Sequence, residues 1–282
     1  MSAPCAKGSK FDPRIKPPQW GPLSHVQSAV RYNCDRLGLP PILSGSFFWE
    51  DGGRPKEQMQ GLSLSFVGGE WKKDGYGIYN EGDYIEYPGD LFSTTENFTL
   101  FWDLEVGVSP NEHAVLCFFG SDDRESNRAT LYATTTFGAA TNEMRFWTNR
   151  EGEIFVGPDI RGTSVKVALV KEGDTYSLFI NGELNASGTY SGPVHGQNFR
   201  LGVDRTSNNR PLYGTVRSFY VLQYALDADQ HATLAEQPYA LLMPVARPVY
   251  FDLAATPGPA TPTNLQGTPS TDSILWTWEA GS

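Results

Sequence analysis

The sequence predicts an all-β fold: a two-sheet antiparallel β-sandwich, with an extended N-terminal arm before it and the beginning of a second β-sandwich module after it. Three observations carry this. Short segments repeatedly alternate apolar and polar residues, the period-two signature of half-buried strands. Aromatic residues make up 13% of the chain, and 29 glycines and 20 prolines supply turns between short strands. The third is the stretch from Val165 to Tyr190. Val165, Val167 and Leu169 alternate with Lys166, Ala168 and Val170, and a polar turn over Lys171–Thr175 follows. A second strand puts Tyr176, Leu178 and Ile180 on one face. Asn181-Gly182 then tolerates positive φ at both positions, the mark of a type I′ hairpin. The resulting three-strand meander has an oily face that a second sheet must cover.

In chain order, residues 1–40 are expected to form the arm. Pro13, Pro17, Pro18 and Pro22 block both helix and central strand, so this segment should be extended and ordered only where it docks. Phe11 and Trp20 are its natural anchors, because large rings supply most contact energy in small interfaces. Ser24 with Gln27 suggests a capping box for a short helix over 25–36, which Gly38 ends. Strands are expected at 42–49, around Leu62, Leu64 and Phe66, and at 83–87 after a turn at Glu81-Gly82. Further strands fall at 98–106, 114–120, 129–135, 143–148, 154–156, 199–203 and 213–221. Asp227 and Gln230 form a second capping box for a helix ending before Pro238. The sandwich spans 41–245, a Pro-rich linker 246–262, and two further strands lie in 263–282.

Net charge is −10. No basic face is available for phosphate, so nucleic acid is not an expected partner. No apolar run reaches membrane-spanning length, and the N-terminus lacks the pattern of a signal peptide. Cys5, Cys34 and Cys117 read as free thiols made in a reducing cytoplasm. His25, His113, His195 and His231 are scattered and show no zinc-site spacing with the cysteines.

Several segments together resemble laminin-G-like, concanavalin A-like lectin jelly rolls. SLSFVGG and GDYIEYPGDL resemble their opening strands, and FTLFWDLEV the next. YSLFINGELNASGTY resembles their Asn-Gly hairpin, and GTVRSFYVLQYALDADQHATLAEQPYALLMP their closing strand and terminal helix. FDPRIKPP and ARPVYFDL resemble the flanks of tailed-phage proteins that carry this jelly roll. PTNLQGTPSTDSILWTWEAGS resembles the first strands of a fibronectin type III domain. Such a domain needs on the order of 90–100 residues, so truncation is expected there.

The resemblance also brings site candidates. Glu81, Asp83 and Glu86 have the E-x-D-x-x-E spacing that resembles the catalytic strand of some retaining glycosidases. Gly82 stands where such a strand carries an apolar residue, so solvated carboxylates beside a strand are the preferred reading. Some laminin-G-like domains hold Ca²⁺ at a loop rim. Asp122, Asp123, Asp204, Asn208 and Asn209 have the right oxygen chemistry, but no spacing specifies a site, and no cofactor is expected. For a glycan rim, Asp204, Asn208, Asn209 and Tyr213 are the candidates. Trp102 and Trp147 lie in apolar strand patterns and read as core. Asn97 and Asn185 head glycosylation-type triplets that read as chance.

The resemblance implies a non-enzymatic structural or surface protein of a tailed-phage virion, capsid- or tail-associated. It would be homo-oligomeric on the particle, contacting other virion proteins. The alternative is a glycan-binding adhesin for host attachment, and a glycoside hydrolase ranks third.

Overall fold

The chain divides into two compact units, Met1–Val245 and Ala246–Ser282. The computed structural model describes residues 23–39, 42–47, 63–89, 91–92, 97–108, 113–120, 128–135, 142–194, 196–204, 210–238, 241, 263–269 and 274–279. The first unit begins with α1 (Leu23–Leu37), β1 (Ile42–Phe47), β2 (Ser65–Val67), β3 (Glu70–Lys72), β4 (Gly75–Ile78) and β5 (Tyr84–Glu86). It continues with β6 (Phe98–Val106), β7 (His113–Gly120), β8 (Arg128–Thr135), β9 (Glu143–Thr148) and β10 (Gly152–Val156). Then come β11 (Thr163–Glu172), β12 (Thr175–Ile180), β13 (Glu183–Thr189), β14 (Arg200–Leu201), β15 (Gly214–Leu222) and α2 (Ala228–Glu236). The second unit contributes an antiparallel pair, β16 (Thr263–Pro269) and β17 (Ile274–Glu279).

The first unit is the expected sandwich. One sheet has eight strands, in the order β13-β12-β11-β6-β15-β4-β3, with β1 also paired to β15; the other has seven, β10-β9-β8-β7-β14-β5-β2. Every strand pairing in both sheets is antiparallel. Aromatic rings fill the space between the sheets. Phe146 of β9 stacks on Tyr176 of β12 at 5.0 Å, and Phe199 beside β14 stacks on Phe219 of β15 at 5.0 Å. Trp102 is fully buried among them, as its strand pattern implied.

The eight-stranded sheet is buried on its other face as well. Phe101, Ala168, Val170, Phe179, Tyr220 and Leu222 point away from the sandwich core and pack with α1, α2 and their flanks in a second cluster. That double burial explains why FTLFWDLEV reads as a near-continuous apolar run rather than a clean alternation. α1 ends in a Schellman motif: Gly38 has φ +68°, its N–H donates to Asp35 O, and Leu39 N–H donates to Cys34 O. α2 carries the expected capping box, with Asp227 accepting from Gln230 N and Gln230 Oε1 accepting from Asp227 N.

The Asn181-Gly182 turn has φ values of 52° and 90° and joins β12 to β13. Gly182 is required twice over, since a Cβ there would also lie 2.8 Å from Ala232 Cα of α2. At the sandwich edge, Gly188 of β13 lets the strand press against the Ile154 backbone of β10.

Some boundaries differ from expectation. Helix α1 starts at Leu23, which puts Ser24 inside its first turn rather than at the cap. The pair β3–β4 carries no clean alternation in sequence, because Gly75 and Gly77 take apolar positions. Gly75 is glycine because a Cβ would meet Val216 O at 2.7 Å. The strand expected at 199–203 shortens to Arg200–Leu201, and Gly202 leaves the ladder at φ +87°.

Two expectations follow for stability. Gly182→Val should cost roughly 2–4 kcal/mol, from strain at positive φ and overpacking against α2. Chemical denaturation is the measurement, and wild-type stability in this variant would refute the turn. His231 of α2 is 1% exposed and stacks on Phe179 at 3.9 Å. Burial pushes its pKa down to about 4, against the opposing pull of Asp227. Its folded pKa thus lies below the unfolded value near 6.5. The unfolded chain binds the proton first, so stability is full above about pH 6.5 and falls as pH drops toward 4, by about 3 kcal/mol. Melting temperatures between pH 4 and 7 should show this decline, and His231→Gln should flatten it.

Candidate functional site

Helices pack on the eight-stranded sheet, and among the described residues none packs on the outer face of the seven-stranded sheet. Its strands alternate. Ile85, Leu201, Leu131, Met144 and Phe146 face the core. Their neighbours Tyr84, Glu86, Arg200, Thr130, Tyr132, Arg145 and Trp147 therefore face outward. Register aligns these into a row across the sheet: Ser65, Glu86, Arg200, Phe118, Thr130, Trp147 and Glu153 are successive partners. From Glu86 to Trp147 the row crosses five strands, roughly 19 Å at ordinary strand spacing.

Arginines sit over aromatic rings of this face. Arg200 sits 4.6 Å from the Tyr84 ring centroid, and Arg128 5.3 Å from that of Phe118. Each arginine also meets a carboxylate. Arg200 Nε donates to Glu86 Oε1 at 3.1 Å, and Arg145 pairs with both Glu143 and Glu153. Asp204 takes Arg128 on Oδ1 at 3.2 Å and Arg210 on Oδ2 at 3.3 Å. Arg210 also reaches the Tyr132 hydroxyl at 3.4 Å. Burial pushes the Tyr132 hydroxyl pKa up, with Asp204 adding to it and the two arginines opposing. Trp147 is half-buried on this face, its ring beside Gly152. It is not in the core, which corrects the expectation: the alternation Glu143, Arg145, Trp147 against Met144, Phe146 already placed it outside.

At one end of the row lies a pocket of about 330 Å³, lined by Ser65, residues 86–89, Gln197 and Asn198.

The three carboxylates of the E-x-D-x-x-E stretch sit in three different settings. Glu81 is exposed in a turn with Gly82 at φ +86°, as expected. Asp83 is buried rather than solvated, and its Oδ2 accepts from Tyr79 N, Asn80 N and Asn80 Nδ2. Burial pushes this carboxyl's pKa up, but those hydrogen bonds and one from Gly69 N outweigh it, so the net shift is down. Glu86 lies three residues on, hence on the opposite side of an extended chain, and is held by Arg200.

Of the rim candidates, Asp204 is buried and fully engaged by two guanidiniums, so it positions arginines. Tyr213 is half-buried at φ +52° and directly precedes β15. Asn208, Asn209, Asp122, Asp123, Phe11 and Trp20 lie outside the described residues. Asn97 Oδ1 accepts from Gly173 N, and Asn185 Nδ2 donates to Glu183 O. Among the described residues no three His, Cys, Asp or Glu side chains group as metal ligands.

Residues 79–230, more than half of the chain, match the family model for the concanavalin A-like lectin/glucanases superfamily. The chain belongs to this superfamily. No curated protein matches the sequence. Three similar solved structures place the superfamily member among varied company. Trypanosoma rangeli sialidase in complex with sialic acid is 13% identical with a TM-score of 0.59, over 77% of this chain and 38% of that one. The botulinum neurotoxin serotype G binding domain is 12% identical with a TM-score of 0.54, over 70% and 51%. Domain 4 of AbnA, a GH43 extracellular arabinanase from Geobacillus stearothermophilus in complex with arabinotriose, is 17% identical with a TM-score of 0.53, over 69% and 98%. The chain thus spans well under half of the sialidase and about half of the toxin domain. At these identities the likeness is one of fold.

Proposed function

We propose that this chain is a non-enzymatic surface protein of a tailed-phage virion whose jelly roll binds glycan through the outer face of the seven-stranded sheet. One observation carries the glycan part. The two faces of the sandwich are unequal: helices pack on one sheet, while the other presents arginines and carboxylates beside the half-buried rings of Tyr84 and Trp147, with Phe118 and Tyr132 buried among them. Aromatic rings suit the apolar faces of sugars, and paired charged groups suit their hydroxyls. The likeness to an arabinanase domain in complex with arabinotriose, nearly all of which this chain covers, supports the same reading. The separation of Glu81, Asp83 and Glu86 supports a binding rather than hydrolytic role.

The virion part rests on the flanks FDPRIKPP and ARPVYFDL and on the plan of arm, jelly roll, linker and second β module. In this reading the arm docks on capsid or tail through Phe11 and Trp20, in several copies per particle, and leaves the sandwich on the particle surface.

Immobilised oligosaccharides, arabinotriose among them, test the first part. Wild-type protein should bind at least one of them, and Trp147→Ala should weaken that binding about tenfold or more at unchanged melting temperature. No binding to any of a broad panel would refute the glycan reading, and turnover would refute the non-enzymatic one. Deletion of residues 1–22 should leave the melting curve intact and abolish incorporation into particles. Normal incorporation would move the attachment surface elsewhere.

A further inference from the structure

We infer that the pocket beside Glu86 is the end subsite of the glycan face and takes an uncharged, hydroxyl-rich sugar residue. This rests on the glycan-binding reading above and adds to it where the ligand terminates and what its charge is.

The pocket is built rather than incidental. The segment carrying Gln197 and Asn198 is tied down on several sides. Leu91 N donates to Gly196 O at 3.2 Å, Gly120 N to Gln197 O at 2.9 Å, and Tyr87 N to Phe199 O at 3.0 Å. Asn198 sits at φ +51°, a backbone conformation that asparagine tolerates, and its Nδ2 donates to Gly120 O at 3.3 Å. Groups fixed in this way lose little freedom when a ligand binds.

Its chemistry is that of hydroxyl recognition. Glu86 contributes a carboxylate, Ser65 a hydroxyl, and Gln197 and Asn198 each an amide that can donate and accept. A sugar hydroxyl also does both, so each can be satisfied here. Pro88 and Gly89 add apolar lining beside these groups.

Charge excludes acidic sugars. Glu86 is the one residue charged at neutral pH among the pocket's lining residues, beside the Tyr87 phenol. Arg200, the cation paired with Glu86, is already engaged by Glu86 Oε1 and held over the Tyr84 ring, with its side chain 14% exposed against 32% for Glu86. A ligand carboxylate would therefore face Glu86 with no cation among the described lining residues, on a chain of net charge −10. An amino sugar gains little either, because Arg200 already neutralises Glu86.

The test uses the full chain and three probe sets: neutral pentose and hexose oligosaccharides, oligogalacturonates, and chitosan oligomers. Binding is measured by titration. Wild-type protein should prefer a neutral probe. Glu86→Gln and, separately, Gln197→Ala should each weaken it about tenfold or more at unchanged melting temperature. Gln197 is exposed, so its variant keeps the test sound should Glu86→Gln misfold. If Trp147→Ala loses binding while both pocket variants retain it, the glycan face stands and the pocket is overturned. Preference for oligogalacturonate or chitosan overturns the uncharged ligand. Failure of every probe on the wild type overturns the face and the pocket together.

Discussion

Strands β6 and β15 are buried on both faces, and this constraint shapes the rest of the molecule. Their inward residues Trp102, Leu104, Phe219 and Val221 meet the seven-stranded sheet, while Phe101, Tyr220 and Leu222 meet the helical layer. Each large side chain sealed this way contributes about 1.5–3 kcal/mol of hydrophobic stabilisation. The helices cannot be shed without exposing that surface to water. They are also fastened by polar groups: Tyr220 Oη donates to Pro238 O at 2.6 Å, Asn33 Nδ2 to Leu241 O at 2.9 Å, and Gln230 Nε2 to Gly38 O at 3.0 Å. The opposite sheet is left with an outer alternation that is free to be polar and aromatic.

On that sheet the charges are arranged in neutralised groups. Arg128 and Arg210 share the buried Asp204, Arg145 is flanked by two glutamates, and Arg200 holds Glu86. Such pairs contribute little net stability, because desolvation offsets their attraction. Their effect is positional. Guanidinium groups are held over aromatic rings, giving a surface of hydrogen-bonding groups without a strong field of either sign. That suits a ligand made of hydroxyls better than one made of phosphates.

Much of the sandwich was legible because its strongest segments are locally consistent. FTLFWDLEV, GDTYSLFINGEL and ALDADQHATLAEQP each carry their own pattern, turn or cap, and each folds as its residues dictate. The site was less legible. Trp147 was readable from the parity of its strand, yet its apolar neighbours suggested core. Asp204 draws its partners Arg128 and Arg210 from different strands, and no local spacing announces such a meeting. Asp83 shows the opposite error. A spacing that resembled catalysis is a buried turn cap, and its partners Tyr79 and Asn80 stand just before it in sequence. The row from Glu86 to Trp147 exists only through register, a property of paired strands rather than of any one of them.

The position of β15 has a consequence for how the chain acquires its fold. It is the last strand of the first unit, yet one of its edges pairs with β6 and the other with both β4 and β1, where Ile42 meets Leu222. During synthesis the hairpins β7–β8, β8–β9 and β11–β13 can close as they emerge, since each needs only its neighbour. The strands β1 and β4 have no place in the eight-stranded sheet until residue 222 has left the ribosome. A nascent chain stalled before that point carries unpaired edges and an uncovered aromatic core, which makes this window its most aggregation-prone and its natural substrate for chaperones.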